Sequence, residues 1–156
     1  GVQTCALPIL MMDVMQTITV GELSHLFKDV SRVRDNMPFS EFKRFFTLTR
    51  QHYFPVMNYK DELLGIFSAT DFREVLFSQH LDDLVVMKDI MVSDLILITP
   101  SEHLNTALVK LTKKNIDALP VVEENDPKQL IGLLYRRDII RYYNEYIHHN
   151  KEQSIN

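Results

Sequence analysis

The sequence has a single cysteine, Cys5, and it falls in a stretch that does not read as native protein. Residues 1–9, GVQTCALPI, have neither the basic start nor the long apolar centre of a signal peptide. One back-translation of them matches a common sequencing-adapter sequence. They are set aside as an artefact, and any disulfide or thiol chemistry goes with them; the native chain is then free to extend upstream of residue 10. Four glycines and six prolines in 156 residues are too few for a collagen-like or low-complexity chain. No apolar run approaches the roughly 20 residues that span a bilayer, so this chain reads as soluble, with a membrane domain in a longer parent left open. A surplus of positive charge is also missing. The net charge is −4 and the Lys and Arg residues are scattered, which argues against the basic face that nucleic-acid partners require.

Signatures of catalysis are absent as well. There is no GxSxG, no P-loop and no GxGxxG. The six histidines (His25, His52, His80, His103, His148 and His149) have no Cys, Asp or Glu partners at metal-site spacing and read as surface residues. No nucleophile, base or metal constellation can be assembled, so the chain does not read as an enzyme and needs no cofactor for chemistry.

The chain does contain an internal repeat, and 46% apolar residues are enough to build a core around it. Tyr53-Phe54-Pro55-Val56 resembles Ala118-Leu119-Pro120-Val121, an offset of 65. The same offset pairs Phe39 with Leu104, Phe42 with Ala107 and Phe46 with Leu111, apolar positions at helical spacing. Further on, Gly65-Ile66-Phe67 matches Gly132-Leu133-Leu134 and Asp71-Phe72 matches Asp138-Ile139, an offset of 67. The two extra residues fit a turn from Glu123 to Lys128, which holds Asn125, Asp126 and Pro127.

Each copy predicts the same elements: a short strand (30–33, then 95–99), a helix (39–50, then 102–114), two strands joined by a polar turn (54–58 with 63–67, then 119–123 with 130–135) and a closing helix (70–79, then 137–149). Ser101 is the expected N-cap of the second copy's first helix. One copy alone is marginal in size, so two copies are expected to pack face to face around one shared core. Met11, Met12 and Met15 fit either core filling or packing against an upstream domain. Phe39, Phe42, Phe45 and Phe46 crowd one helix; three fit one face, leaving Phe45 as a candidate interdomain or dimer contact.

The order strand, helix, [small or aromatic]-Pro-Val, turn, Leu-x-Gly-apolar-apolar, x-x-x-Asp-apolar, found twice, resembles the CBS motif. The resemblance covers nearly all of the chain beyond residue 9 and implies an α/β fold: two pseudo-symmetric β-α-β-β-α motifs packed as one module, with nucleotide-sized clefts between them. The organisation is then 10–17 as a linker from an upstream domain, 18–80 as motif 1, 81–149 as motif 2 and 150–156 as a polar tail. A narrower resemblance lies in Val14 to Leu23 (VMQTITVGEL), in Gln51-His52-Tyr53-Phe54-Pro55-Val56, and in Arg136-Arg137-Asp138-Ile139-Ile140 followed by Tyr143-Asn144. These are similar to the cytoplasmic CBS tail of prokaryotic ClC-type chloride transporters. That resemblance implies a regulatory tail at the inner face of the membrane, controlling a channel or proton/chloride antiporter whose ion pathway is not in this chain.

Candidate ligand groups follow. Ser68-Ala69-Thr70-Asp71 joins a strand to a helix, where unpaired amides favour anions. A Ser hydroxyl can donate to phosphate and an Asp carboxylate can accept from ribose hydroxyls. Ser and Asp are equally the residues that cap helices, so Ser68 and Asp71 fit ligand binding and capping alike. The second copy has Tyr135-Arg136-Arg137-Asp138, with Tyr in place of the Ser; Arg136 and Arg137 fit either phosphate contacts or solvated surface. By resemblance to ClC-type CBS pairs, Gln51, His52 and Tyr53 would work with Asp138, and in the pseudo-symmetric cleft Ile116, Asp117 and Ala118 with Ser68 and Asp71. Tyr53 could instead be a core aromatic, and the carboxylate of Asp117 would repel a phosphate. The implied ligand is AMP, ADP or ATP, and the implied assembly a homodimer. The competing readings are a structural dimerisation module that binds nothing, and a free-standing or enzyme-attached CBS regulatory protein.

Overall fold

The structure is a computed structural model that describes residues 9–27, 30–77, 82 and 84–155. The elements run α1 (Ile9–Met15), a 3-10 helix (Val20–Leu26), β1 (Val33–Arg34), α2 (Phe39–Phe46), β2 (Tyr53–Met57), β3 (Leu63–Ser68), α3 (Ala69–Leu76), α4 (Met87–Ile90), α5 (Leu104–Lys114), β4 (Ala118–Glu123), β5 (Asp126–Tyr135) and α6 (Arg136–Gln153). The chain divides into two compact units. One holds the first repeat (30–95 with 125–130); the other holds the second (9–27, 96–124 and 131–155).

In the first-repeat unit, β2 runs parallel to β1 and antiparallel to β3, with Val33 opposite Val56 and Tyr53 opposite Ser68. Helix α2 buries Phe39 and Phe42, three residues apart on one face. The Phe42 ring meets Phe54, Phe67 and Phe72 edge-on, at 5.1, 5.1 and 4.7 Å between centroids. Phe45 packs there too, 5.6 Å from Phe42 and 6.2 Å from Phe54, so the ring expected to face outward joins the core. The core is closed by α4. Met37 accepts from the Met87 amide (3.0 Å), Asp35 from the Lys88 amide (2.9 Å), and the Phe39 amide donates to Val85 (2.9 Å). Met87 is fully buried.

The second-repeat unit repeats this pattern. Ile98 pairs with Val121 in parallel, and β4 pairs with β5. Here the closing turn is the 3-10 helix: Glu102 accepts from Val20 (2.8 Å), Pro100 from Gly21 (2.9 Å), and the Leu104 amide donates to Ile18 (2.9 Å). Each repeat is therefore closed by the helical turn that precedes the other repeat along the chain. Residues 10–17, expected as a linker, fold mainly as α1; Met11 and Met15 are buried in the core, which decides their role.

Several local expectations give way. Each unit has a buried cluster of its own, around Phe42 in the first-repeat unit and around Leu104 in the second. Helix α5 starts at Leu104 behind His103, not behind Ser101. The Ser101 amide and hydroxyl are taken by Glu124, at 2.6 and 2.8 Å, while Glu102 reaches back to the Thr99 amide at 2.8 Å. The turn expected over 123–128 shrinks to Glu124–Asn125, and β5 begins at Asp126. Pro127 is tolerated near the start of a strand, where the loss of one donor is least costly. The expectations for residues 1–8 (Cys5 among them), for His80 and for the 80/81 motif boundary fall outside the described residues. Among the described residues, no helix is long and apolar enough to cross a membrane.

Candidate functional site

Two strand-to-helix junctions carry the candidate residues, one in each unit. In the first-repeat unit, β3 ends at Ser68 beside the segment that enters β2. The Ala69 amide donates to the His52 carbonyl at 2.7 Å and Ser68 lies across the ladder from Tyr53, so His52, Tyr53, Ser68 and Asp71 come together. The Asp71 Oδ2 accepts from the Ser68 amide (2.8 Å) and the Ser68 hydroxyl (2.8 Å), while the Asp71 amide donates back to Ser68 Oγ (3.1 Å). This is a capping box: two amides of the helix start are satisfied reciprocally. Asp71 Oδ1 accepts no hydrogen bond among the described residues, so capping leaves one carboxylate oxygen available. The Gln51 amide is committed to backbone: it accepts from Ser31 (2.9 Å) and donates to the carbonyls of Ser31 (2.8 Å) and Tyr53 (2.7 Å). His52 is exposed.

The junction of the second-repeat unit has the same backbone and different side chains. The Arg136 amide donates to the Asp117 carbonyl at 2.9 Å, as Ala69 does to His52. Tyr135 supplies no side-chain cap to α6. The Arg136 guanidinium donates to the Ile116 carbonyl (3.2 Å), and its Nε stands 3.8 Å from the Asp117 carboxylate. Arg136 is thus tied to the Ile116–Asp117 segment rather than spread on the surface, and its charge offsets that of Asp117. Arg137 is exposed and lies over the Tyr135 ring, 4.7 Å from its centroid. Asp138, half-buried, occupies the first turn of α6. Ala118 is buried in β4 and Ile116 packs against the core.

The sequence reading passed over α4 and its flanks. Val85, Asp89, Ile90 and Val92 line a cleft with Asp71, Glu74 and Val75. The available signal was Val86 followed by Asp89, the spacing at which a carboxylate caps the amide three residues before it, here at 3.0 Å.

The CBS domain signature matches residues 16–78 and again residues 87–145. The chain belongs to the CBS domain family. It is a tandem CBS pair of mixed α/β fold. It is similar to the uncharacterized protein MK0525 of Methanopyrus kandleri, 32% identical over 87 residues (55% of this chain and 43% of that protein). It is also similar to the uncharacterized protein MJ1232 of Methanocaldococcus jannaschii, 28% identical over 138 residues (85% and 44%). This CBS pair therefore spans less than half the length of these curated relatives. Solved structures that share the fold include three with bound ligands. CBSX2 in complex with AMP superposes with a TM-score of 0.69 at 21% identity, covering 83% of this chain and 98% of that one. The CBS domain of a bacterial CNNM/CorC family Mg2+ transporter in complex with ATP gives 0.69 at 14% identity (85% and 91%). The CBS pair of protein MJ0100, in complex with 5′-methylthioadenosine and S-adenosyl-L-methionine, gives 0.65 at 21% identity (80% and 96%).

Proposed function

We propose that this CBS pair is a regulatory sensor of adenosine-containing ligands. The observation that carries the reading is the junction at Asp71. A carboxylate held through Oδ2 by its capping box has a second oxygen that accepts no hydrogen bond among the described residues, beside the residues that enter a Pro-Val strand. A rigid acceptor at that point suits a ribose hydroxyl. In this reading Asp71 and Asp138 take ribose, Arg137 takes phosphate, and Ser68 holds Asp71 in place. Gln51, His52 and Tyr53 shape the surroundings of one base, and Ile116, Asp117 and Ala118 those of a second. The adenosine ligands bound by three neighbours of the same fold support the class.

The module acts on something attached to it or assembled with it, because a ligand regulates only by preferring one of two arrangements. We infer that this larger assembly is a ClC-type chloride channel or proton/chloride antiporter at the inner face of the cell membrane, and that the chain works as a homodimer. The stretches at Val14–Leu23, Gln51–Val56 and Arg136–Ile140 support the transporter. A free-standing CBS protein fits the same fold.

Titration calorimetry with AMP, ADP and ATP tests the sensor, with Asp71→Ala and Asp138→Ala alongside. Saturable binding that one of the variants abolishes is the expected result. No heat at millimolar ligand, with the protein folded, would leave a structural dimerisation module instead.

A further inference from the structure

Residues 18–21 and 85–88 occupy matching places in the two units, and the match runs through individual hydrogen bonds. The Leu104 amide donates to Ile18 as the Phe39 amide does to Val85, both at 2.9 Å. The Val20 amide reaches Glu102 as the Met87 amide reaches Met37, and the Gly21 amide reaches Pro100 as the Lys88 amide reaches Asp35. Thr19 bridges His103 as Val86 bridges Pro38. Each pair of bonds is related by the two repeat offsets, 65 on one side of the bond and 67 on the other. Closure by a segment that precedes the other repeat is thus a property of the repeat itself.

The segment 9–27 is fastened along its length to the second repeat. Met15, Ile18, Val20, Leu23 and Phe27 lose nearly all of their surface within the cluster that holds Leu104 and Val121. Glu22 fixes the start of the 3-10 turn by accepting from the Thr19 amide at 2.7 Å. At the far end, a Cβ on Gly132 would stand 2.5 Å from the Phe27 carbonyl oxygen. Gly132 lies on β5, which runs directly into α6. In a closely packed core, a displacement at one element is passed to its neighbours rather than absorbed.

We propose that residues 9–27 are the output arm of the second repeat. A conformational change in that repeat is passed through the arm to a domain attached ahead of it, and a change confined to the first repeat is not. The segment that adjoins the first repeat in sequence therefore reports on the second. This assignment rests on the regulatory reading above, in which the module acts on something attached to it.

Amide hydrogen exchange in the full chain, followed by NMR, tests the coupling without any ligand, so it is decided separately from nucleotide binding. Val56→Ala and Val121→Ala make the same truncation at matching, fully buried positions of the two repeats. Val121→Ala is expected to speed exchange at the Val20 and Gly21 amides by about tenfold, and Val56→Ala to leave both unchanged. The Met87 and Lys88 amides, which close the first repeat, should answer in the opposite sense. Ile98 pairs with Val121, so Ile98→Val, a single methyl group lost, repeats the measurement if Val121→Ala does not fold. Faster exchange at Val20 and Gly21 in Val56→Ala would overturn the assignment. So would exchange there that stays at the native rate when the second repeat is weakened.

Discussion

The Val20 amide donates to the Glu102 carbonyl at 2.8 Å, which ties the segment before the first repeat into the core of the second. Leu23 follows on the same 3-10 turn and is fully buried beside Leu104, Leu108 and Leu111 in that core. Leu23→Ala removes buried methyl groups that nothing nearby can replace. We expect a loss of about 2–5 kcal/mol in urea unfolding. Met87→Ala, on the closing turn of the other unit, is expected to lose a similar amount. A loss below about 0.5 kcal/mol for Leu23→Ala, the level of an ordinary surface change, would mean that this turn is not part of the core.

Gly132 and Gly65 stand where a closing segment passes too close for a side chain. A Cβ on Gly132 would lie 2.5 Å from the Phe27 carbonyl oxygen and 2.6 Å from its Cβ. One on Gly65 would meet the Met91 sulfur at 2.6 Å and the Val92 carbonyl at 2.8 Å. The methionine can move, whereas the Val92 carbonyl and the Phe27 backbone cannot, and Phe27 stands the closer, at 2.5 Å against 2.8 Å. Both alanine variants should be destabilised, by about 1–3 kcal/mol, with Gly132→Ala the worse. Thermal unfolding of the two side by side checks the order, and equal or reversed losses would count against this packing.

The repeat was legible in the sequence down to single residues. The offset of 65 that aligns the two Pro-Val strands also carries the Val33–Val56 pair onto Ile98–Val121, and both pairs are parallel bridges. The junction was legible for the same reason: Ser68 and Asp71 obey a short-range spacing rule. What sequence could not show was which repeat each closing turn serves. Val20 and Met87 are apolar in either event, and only the hydrogen bonds to Glu102 and Met37 reveal the exchange. Ser101 misled because a local cap was outcompeted by Glu124, a partner from a distant turn. The Gln51 clamp on Ser31 and the α4 wall of the cleft likewise depend on contacts between segments far apart in the chain.

Acid should weaken the second-repeat unit through Glu102. Burial pushes its carboxyl up, but the hydrogen bonds from Lys110 (2.7 Å) and the Thr99 amide (2.8 Å) and the Lys110 charge hold it below the ordinary 4.5. A carboxyl whose pKa is lower in the folded state stabilises the fold above its unfolded pKa, and that contribution is lost as pH falls through the folded value. Urea midpoints of the native chain and Glu102→Gln should therefore be well separated at pH 7 and converge below about 4.5. A separation that stays constant into acid would show that the Glu102 charge does not contribute.

Ser68 can be assigned between capping and ligand contact by counting protons. Its hydroxyl has one to donate, and that proton goes to Asp71 Oδ2 at 2.8 Å. Oγ meanwhile accepts from the Asp71 amide, which is the cap itself. No proton is left for a phosphate. Ser68→Ala should then cost about 1 kcal/mol of stability through the lost cap. Asp71 would still be held by the Ser68 amide at 2.8 Å, so its orientation survives the change. The rise in melting temperature caused by a saturating adenosine ligand reports binding apart from intrinsic stability. It should be the same in Ser68→Ala as in the native chain, and Ser68→Thr should recover the lost stability. A ligand-induced shift that collapses in Ser68→Ala while the apo protein stays folded would place the hydroxyl on the ligand instead.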